Sequence, residues 1–391
     1  MKSYDVIVVG GGLIGSSIAS ELAAQKLRVV LLDQQQPGRE ASWAAAGMLS
    51  PAPDSPEAVP LVPLAQESLR LYPDFVSAIE EISGKSVAFA RTGAFEILDD
   101  DDVAGRRDRL LDQCTSLGIS AESVSVESAR AKEPALNPNA AAVVWLSGEA
   151  TVDPRLLTEA TLEAAKNRGV EIVASRAVTS ILGEAGRCAG VIAGGEKITA
   201  ANVIIAAGSF CKSLDQDTAG NSIAIARYAT THPVRGQMLA MRSSKVNLEK
   251  VLRSERGYIV PRADGRIIAG STLENVGFVK DTTPEGLRRI FDAAAAMAPA
   301  LANAEIVETW AGLRPGTPDQ LPIIGPTDVP GLVIATGHYR NGILLAPITA
   351  KLIREWIVEG KTSFNAGRFS PLRFSTQYLG AATHKSIPAT P

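Results

Sequence analysis

Tyr4-Asp5-Val6-Ile7-Val8-Val9 is β-branched and apolar on both faces, and it runs straight into Gly10-Gly11-Gly12-Leu13-Ile14-Gly15. A strand apolar on both sides belongs in the middle of a parallel sheet, not on a half-solvated one. Ile14, Ile18 and Leu22 then recur on one helical face, and Leu27 to Leu32 reads as a second buried strand that ends at Asp33. Residues 4–33 are therefore expected to form one right-handed strand–helix–strand unit. In such a unit Gly10 allows the tight turn, Gly12 lets backbone approach a pyrophosphate and Gly15 brings helix against strand. Asp33 stands where a carboxylate accepts ribose hydroxyls. The expected ligand is a dinucleotide, and the glycine pattern by itself does not choose between NAD and FAD.

The residues after the second strand bear on that choice. Pro51, Pro53, Pro56, Pro60 and Pro63 put five prolines in thirteen residues, which excludes a regular helix or central strand there. The second half of an NAD-type domain cannot start in this block, which argues for FAD. Before it, Glu40 to Met48 is a run of small residues that would let the chain pass flat beside a planar ring system, or else a small-residue helix start.

Val87–Phe89 and Ala94–Leu98 read as a hairpin of a second, antiparallel sheet. Asp99 to Asp102 precede a helix at 103–118 and would favour its N-terminus. Pro154–Arg168 reads as a helix, and 170–173, 177–182, 189–192 and 202–208 as strands that return to the first domain, the last ending at Gly208, where backbone can approach a ligand. His232–Met241, Gly257–Pro261 and Arg266–Gly270 resume the second sheet, the last two joined by an Ala263-Asp264-Gly265 turn. Leu332–Thr336 is a final buried strand, followed by Gly337-His-Tyr-Arg-Asn-Gly342 and a helix from Pro347 to Glu359. Proline suits a first helical position, and that helix end with its glycine-flanked loop could stabilise negative charge on a reduced flavin. The fold expected is α/β: a Rossmann-like FAD-binding domain (1–85, 142–220 and 305–370) interleaved with an antiparallel-sheet α+β substrate domain (86–141 and 221–304). Residues 371–391 read as a surface tail.

Composition narrows the function. The chain has 391 residues, 46% of them hydrophobic, and a net charge of −3, so it lacks the positive surplus that a nucleic-acid partner requires. His232, His338 and His384 lie far apart, with no second ligand at metal-binding spacing, so no metal is expected. Cys114, Cys188 and Cys211 form no CxxC pair and are odd in number, which fits free thiols in a reducing compartment. No apolar run reaches the ~18 residues of a membrane span, and the start lacks the features of a secretory signal; the expected location is the cytoplasm, without membrane contact.

Trp310-Ala-Gly-Leu-Arg-Pro-Gly-Thr-Pro-Asp319 sets Arg314 in a loop stiffened by Pro315 and Pro318, where a held guanidinium is a two-point partner for a carboxylate. Taken alone, Arg314 reads first as an arginine bonding loop carbonyls, Arg340 is similar, and Tyr258 reads as a core tyrosine.

Four segments change that reading when taken together: Ala44-Ala-Ala-Gly-Met-Leu49, Gly257-Tyr-Ile-Val-Pro-Arg262, Trp310-Ala-Gly-Leu-Arg-Pro-Gly-Thr317 and Gly337-His-Tyr-Arg-Asn-Gly-Ile-Leu-Leu-Ala-Pro347. With the opening unit they resemble the D-amino-acid oxidase family of FAD enzymes along nearly the whole chain, most of all its bacterial glycine-oxidase branch. The resemblance implies that Arg314 pairs with the substrate carboxylate, with Tyr258 beside it and Arg340 near substrate and flavin. It assigns FAD contacts to Leu13, Ile14, Asp33, Gln34, Ala41, Ser42, Ala46, Gly47, Met48, Val178, and His338, Tyr339, Arg340, Asn341, Gly342, Ile343 and Leu344.

The implied reaction is oxidative deamination. Hydride passes from Cα to flavin N5, the imine hydrolyses, and oxygen reoxidises the flavin to give hydrogen peroxide, without a protein base. The resemblance also implies a role in thiamine thiazole synthesis. Met48 and Leu273 border the implied pocket, and apolar side chains of this kind discriminate only weakly among glycine, sarcosine, D-alanine and D-proline. No cysteine lies in 310–345, where some sarcosine oxidases attach their flavin, so FAD is expected to be non-covalent. The rivals are a D-amino-acid dehydrogenase with a quinone acceptor, a flavin domain that modifies tRNA, and a flavoprotein that binds without turnover. The oligomeric state stays open, a homo-oligomer included.

Overall fold

A computed structural model of the protein describes residues 3–99, 102–215 and 222–374. The doubly apolar strands lie where their composition requires. Ser3–Val9 sits between Val29–Leu32 and Glu196–Ile205, all parallel, and Glu171–Val173 and Leu332–Thr336 extend the sheet in the same sense. Ile323–Pro326 closes one edge antiparallel, and the hairpin Val178–Glu184 with Arg187–Ala193 joins Glu196–Ile205. Alternation along the strands divides the core. Val6, Val8 and Leu31 meet the helices Leu13–Ala24, Val62–Ser83, Pro154–Asn167 and Gly342–Glu359 on one face. Ile7, Val9 and Leu32 meet the hairpin and the turn Gly208–Leu214 on the other.

Among the described residues the second sheet has eight strands in the order Glu305–Gly316, His232–Arg242, Ile267–Gly270, Gly257–Pro261, Val251–Ser254, Ala94–Leu98, Ala142–Leu146 and Glu122–Val124. It is antiparallel except where Val251–Ser254 runs parallel to Ala94–Leu98. The helix Pro284–Met297 covers one face through Ile290, Ala294 and Met297. The other face meets Ala44 and Ala46 through Met238, Val260 and Trp310.

Several local expectations are corrected. Ala94–Leu98 pairs with Ala142–Leu146, not with 87–89. Val87 is instead fully buried in the helical core, its N–H donating to the Glu80 carboxylate, and Ala88 takes a positive φ of 52° that a strand does not allow. Ala142–Leu146 and Glu305–Gly316 both belong to the second sheet, so neither 142 nor 305 marks a return to the first. The proline block gives way to a 22-residue helix, Val62–Ser83, because Pro63 falls in its first turn. The helix expected from Pro347 starts five residues earlier, at Gly342, with Pro347 inside it. Residues Pro371–Phe374 are no tail: Phe374 is buried and Arg373 pairs with Asp319. The rest of the expected tail, with His384, and Asp100 and Asp101 of the acidic run lie outside the described residues.

Candidate active site

The first glycine turn is closed by backbone. Gly10 has φ +105°, and a Cβ there would lie 2.4 Å from the Ala206 carbonyl; a Cβ on Gly15 would lie 1.9 Å from the Gly10 carbonyl. The helix that follows begins at Leu13, and its Leu13 N–H donates to the Ser42 hydroxyl at 2.9 Å. Asp33 is tied to the same turn: Oδ2 accepts from the Gly11 N–H at 2.7 Å and Oδ1 from the Gln35 N–H at 2.8 Å. A carboxylate has about four acceptor sites, so both oxygens keep capacity for hydroxyl donors.

The small-residue segment continues from this turn. Ala41–Ala44 is one short helical turn, and the chain then extends to Met48. Its carbonyls are held from three sides. Arg155 Nε donates to the Trp43 carbonyl at 3.2 Å, Trp310 Nε1 to Ala44 at 3.0 Å and Arg262 Nη2 to Ala46 at 2.6 Å. Arg262 sits 3.4 Å from Asp153, and burial pushes its guanidinium down to about 10 against that attraction. Arg155 also stacks on Trp43 and pairs with Glu308. Sequence reasoning gave these three donors no role; Trp310 and Arg262 stood in the quoted segments, but their partners are distant in sequence.

Arg314 lies at the other end of the cavity, and it stands on the strand Glu305–Gly316, paired with Val234, not in a proline-stiffened loop. Its Nη1 donates to the Thr272 carbonyl at 3.2 Å and its Nη2 to the Ser271 hydroxyl at 2.6 Å. The guanidinium lies over Gly236, where a Cβ would come within 2.2 Å of Nη1. Among the described residues Arg314 has no carboxylate partner. Tyr258 sits beside Met238, its hydroxyl 3.5 Å from the thioether sulfur, over side-chain-free Gly270. Arg340 is engaged differently, by an ion pair to Asp54 at 2.6 Å. His338 is buried and meets Thr349 at 3.0 Å; desolvation pushes its pKa down to about 3 and keeps the imidazole neutral.

One cavity, open to solvent, joins these parts. Gly10, Gly12, Leu13, Ile14, Asp33, Gln34, Ala41, Ser42, Ala46, Gly47, Met48, Val178 and Gly208 line it, as do Tyr258, Arg314, His338, Tyr339, Arg340, Gly342 and Ile343. Gly15, Asn341 and Leu344 do not. Gly15 serves helix–strand contact, Asn341 precedes the helix Gly342–Glu359, and Leu344 is buried in the core. Leu273 is also off the lining: it is 60% exposed, on the outer surface of the loop that bonds Arg314. Gly236 and Met238, which line the cavity, had no signal in the sequence beyond strand alternation, and Phe210, in the turn Gly208–Leu214, had none.

Comparison with known proteins identifies the arrangement. Residues 5–356 match the model of the DAO family, described as FAD dependent oxidoreductase. This chain belongs to the DAO family. It is 33% identical over 95% of its length to the bifunctional protein ThiO/ThiG of Synechocystis sp., of which it spans about half, 54%. It is 32% identical to the glycine oxidase of Pseudomonas putida, covering 94% of this chain and 98% of that one. The crystal structure of glycine oxidase from Geobacillus kaustophilus superposes with a TM-score of 0.89 at 29% identity, covering 95% and 99% of the two chains. The DAO-family protein is thus an FAD-dependent oxidoreductase, and its residues fit that cofactor. The turn at Gly10 admits no side chain, Asp33 is fixed at the end of the second strand, and a long cavity leads from both to a cation.

Among the described residues no helix is long and apolar enough to cross a membrane. Nor does any group of three or more His, Cys, Asp and Glu there have the arrangement of a metal site. The three cysteines are free, buried and off the cavity wall.

Proposed function

We propose that this protein oxidises glycine and other small amines or D-amino acids, such as sarcosine, D-alanine and D-proline, to the imine. Hydrolysis then yields the 2-oxo acid with ammonia or amine. The observation that carries this reading is Arg314, a guanidinium without a carboxylate partner among the described residues, held at the cavity wall by Thr272 and Ser271. A desolvated guanidinium pairs with a carboxylate through two parallel bonds, fixing both position and plane. Arg314 is assigned the substrate carboxylate, Tyr258 the place beside it and Met48 the apolar wall. Arg340, tied to Asp54, is assigned the loop edge.

Non-covalent FAD, when bound, supplies the two-electron acceptor. Gly10 to Ile14, Asp33 and Gln34 would hold its adenosine and pyrophosphate half, and Ala46 to Met48 with His338 to Ile343 its ring. The lining carboxylates do not favour a protein base, since Asp33 bonds the Gly11 N–H and Glu40 pairs with Lys280. The chain's contribution is orientation of a neutral amine, worth several orders of magnitude in rate when the reacting atoms are aligned. In domain terms, the parallel sheet would carry FAD and the antiparallel sheet the substrate.

Oxygen as acceptor, a cytoplasmic location and supply of an imine to thiamine thiazole synthesis belong to the same reading. The test is peroxide release by purified protein across glycine, sarcosine and both enantiomers of alanine and proline. Peroxide and glyoxylate from glycine in air support it. Turnover with a quinone or dye alone would favour a dehydrogenase, and none with any amine a binding protein.

A further inference from the structure

Residues alternate along His232–Arg242, and the two faces have different contents. Gly236 and Met238 face the cavity, whereas Arg235 and Gln237 are buried behind the sheet, 6% and 0% exposed. Charged and amide groups at such depth are costly unless every donor and acceptor is used.

They are used on Glu274, in the loop that links Ile267–Gly270 to the helix Pro284–Met297. Arg235 donates Nε and Nη2 to the two Glu274 oxygens at 2.9 and 3.1 Å, and the backbones of the two residues exchange bonds at 2.9 and 3.0 Å. Gln237 Nε2 adds a bond to Glu274 at 3.0 Å. Its Oε1 accepts from the Thr283 N–H at 2.7 Å, and Gly286 leaves the space that the amide fills. Thr272 closes the network: its hydroxyl donates to Glu274 Oε2 at 2.8 Å and accepts from the Gln237 N–H at 2.9 Å. The carbonyl of that same Thr272 is one of the two acceptors for Arg314.

We propose that Glu274, locked by Arg235 and Gln237, is a positioning residue that acts through Thr272 to aim the Arg314 guanidinium at the substrate carboxylate. The inference rests on the reading of Arg314 as the carboxylate clamp. The network sets the height and direction of the Thr272 carbonyl, and that carbonyl sets the plane of the guanidinium. Neither Glu274 nor Gln237 lines the cavity, so their effect passes through the loop. Misplacement of a clamp by about 1 Å is enough to cost orders of magnitude, because two-point contact is lost with angle as well as with distance.

The test titrates flavin-loaded protein with acetate, a carboxylate without an amine, and follows the flavin absorbance. Wild type should bind acetate saturably and Arg314→Ala should not. Glu274→Gln should weaken acetate at least ~10-fold and raise the KM for glycine in parallel. Thr272→Val, which keeps the volume but removes the linking hydroxyl, should move both in the same direction and carries the test if Glu274→Gln does not fold. A merely structural network would lower the melting temperature or flavin content but leave acetate affinity of the flavin-bound fraction unchanged. That result, with Arg314→Ala still losing acetate, overturns the positioning role alone. Full acetate affinity in Arg314→Ala overturns the clamp reading and the positioning role with it.

Discussion

The hydroxyl of Tyr72 donates to the carbonyl of Ile343 at 2.8 Å, and Ile343 stands four residues before Pro347. It is the carbonyl that a proline cannot serve in a helix. Ser68, one turn earlier on the same helix, donates to the Leu344 carbonyl at 2.6 Å and accepts from the Ile348 N–H at 3.4 Å. Two side chains of Val62–Ser83 thus repair the first turns of Gly342–Glu359, at the end that borders the cavity.

Tyr72→Phe should therefore cost about 1–3 kcal/mol of stability, the penalty for leaving one buried acceptor without a partner. Tyr72 is fully buried and its ring contacts to Phe75 and Phe89 survive the change. Urea unfolding of wild type and variant measures the loss. Equal midpoints and slopes would show that the Ile343 carbonyl finds another donor.

Gly236→Ala tests the floor beneath Arg314. A methyl group there meets the flexible end of an arginine and not backbone, so the protein should fold and take up FAD. The guanidinium must move, and kcat/KM on glycine should fall by at least ~10-fold. Unchanged kinetics would mean that the position of the guanidinium does not matter.

Gly15→Ala should behave oppositely. Its Cβ would sit 1.9 Å from the Gly10 carbonyl, and the turn has no side chain that could yield. Loss of bound FAD is expected, read as a colourless protein that does not recover flavin on incubation. Gly148→Ala, at an exposed site with nothing within 4 Å of the added carbon, is the matched control and should stay yellow.

The neutral imidazole of His338 predicts a pH dependence. Its pKa lies at about 3 in the folded protein and near 6.5 in the unfolded chain, so the unfolded state binds the extra proton between those values. Stability should fall as pH drops below about 6.5, by at most ~1.4 kcal/mol per pH unit from this group, and the decline should end near its folded value. Unfolding curves at pH 7, 6 and 5 for wild type and His338→Asn give the difference. A variant whose stability falls as steeply as wild type over that range would remove His338 as the cause.

What could be read from the sequence was set by how local the determining signal is. Ser3–Val9 and Leu332–Thr336 announce themselves by β-branched runs, and Gly10, Gly12 and Asp33 by spacing within one unit. Residues 142 and 305 were expected to open segments of the first domain, yet Ala142–Leu146 and Glu305–Gly316 pair in the second sheet, because composition does not name a strand's partner. Pro347 suggested a helix start because its lost bond is normally fatal inside one; Tyr72, 275 residues away, removes that penalty. The three donors to the 43–46 carbonyls, and every link of the Glu274 network except the local Thr272–Glu274 bond, depend on pairs more than 30 residues apart, for which a single sequence holds no periodic signal. Leu273 was misread because hydrophobicity does not tell a pocket wall from the outer face of a loop.

The most direct test of the account is kcat/KM of Arg314→Ala on glycine, measured with the flavin content of the same sample. Removing one member of a desolvated, hydrogen-bonded ion pair costs ~2 to 5 kcal/mol. Expressed in the transition state, that is a fall of ~30-fold to ~5,000-fold at ~1.4 kcal/mol per factor of ten. Arg314→Lys should recover only part of it, because an ammonium keeps the charge without the planar two-point contact. The account predicts this loss with FAD bound at the wild-type level. Full kcat/KM in Arg314→Ala with FAD in place would contradict it and leave Arg314 as a loop-bonding arginine.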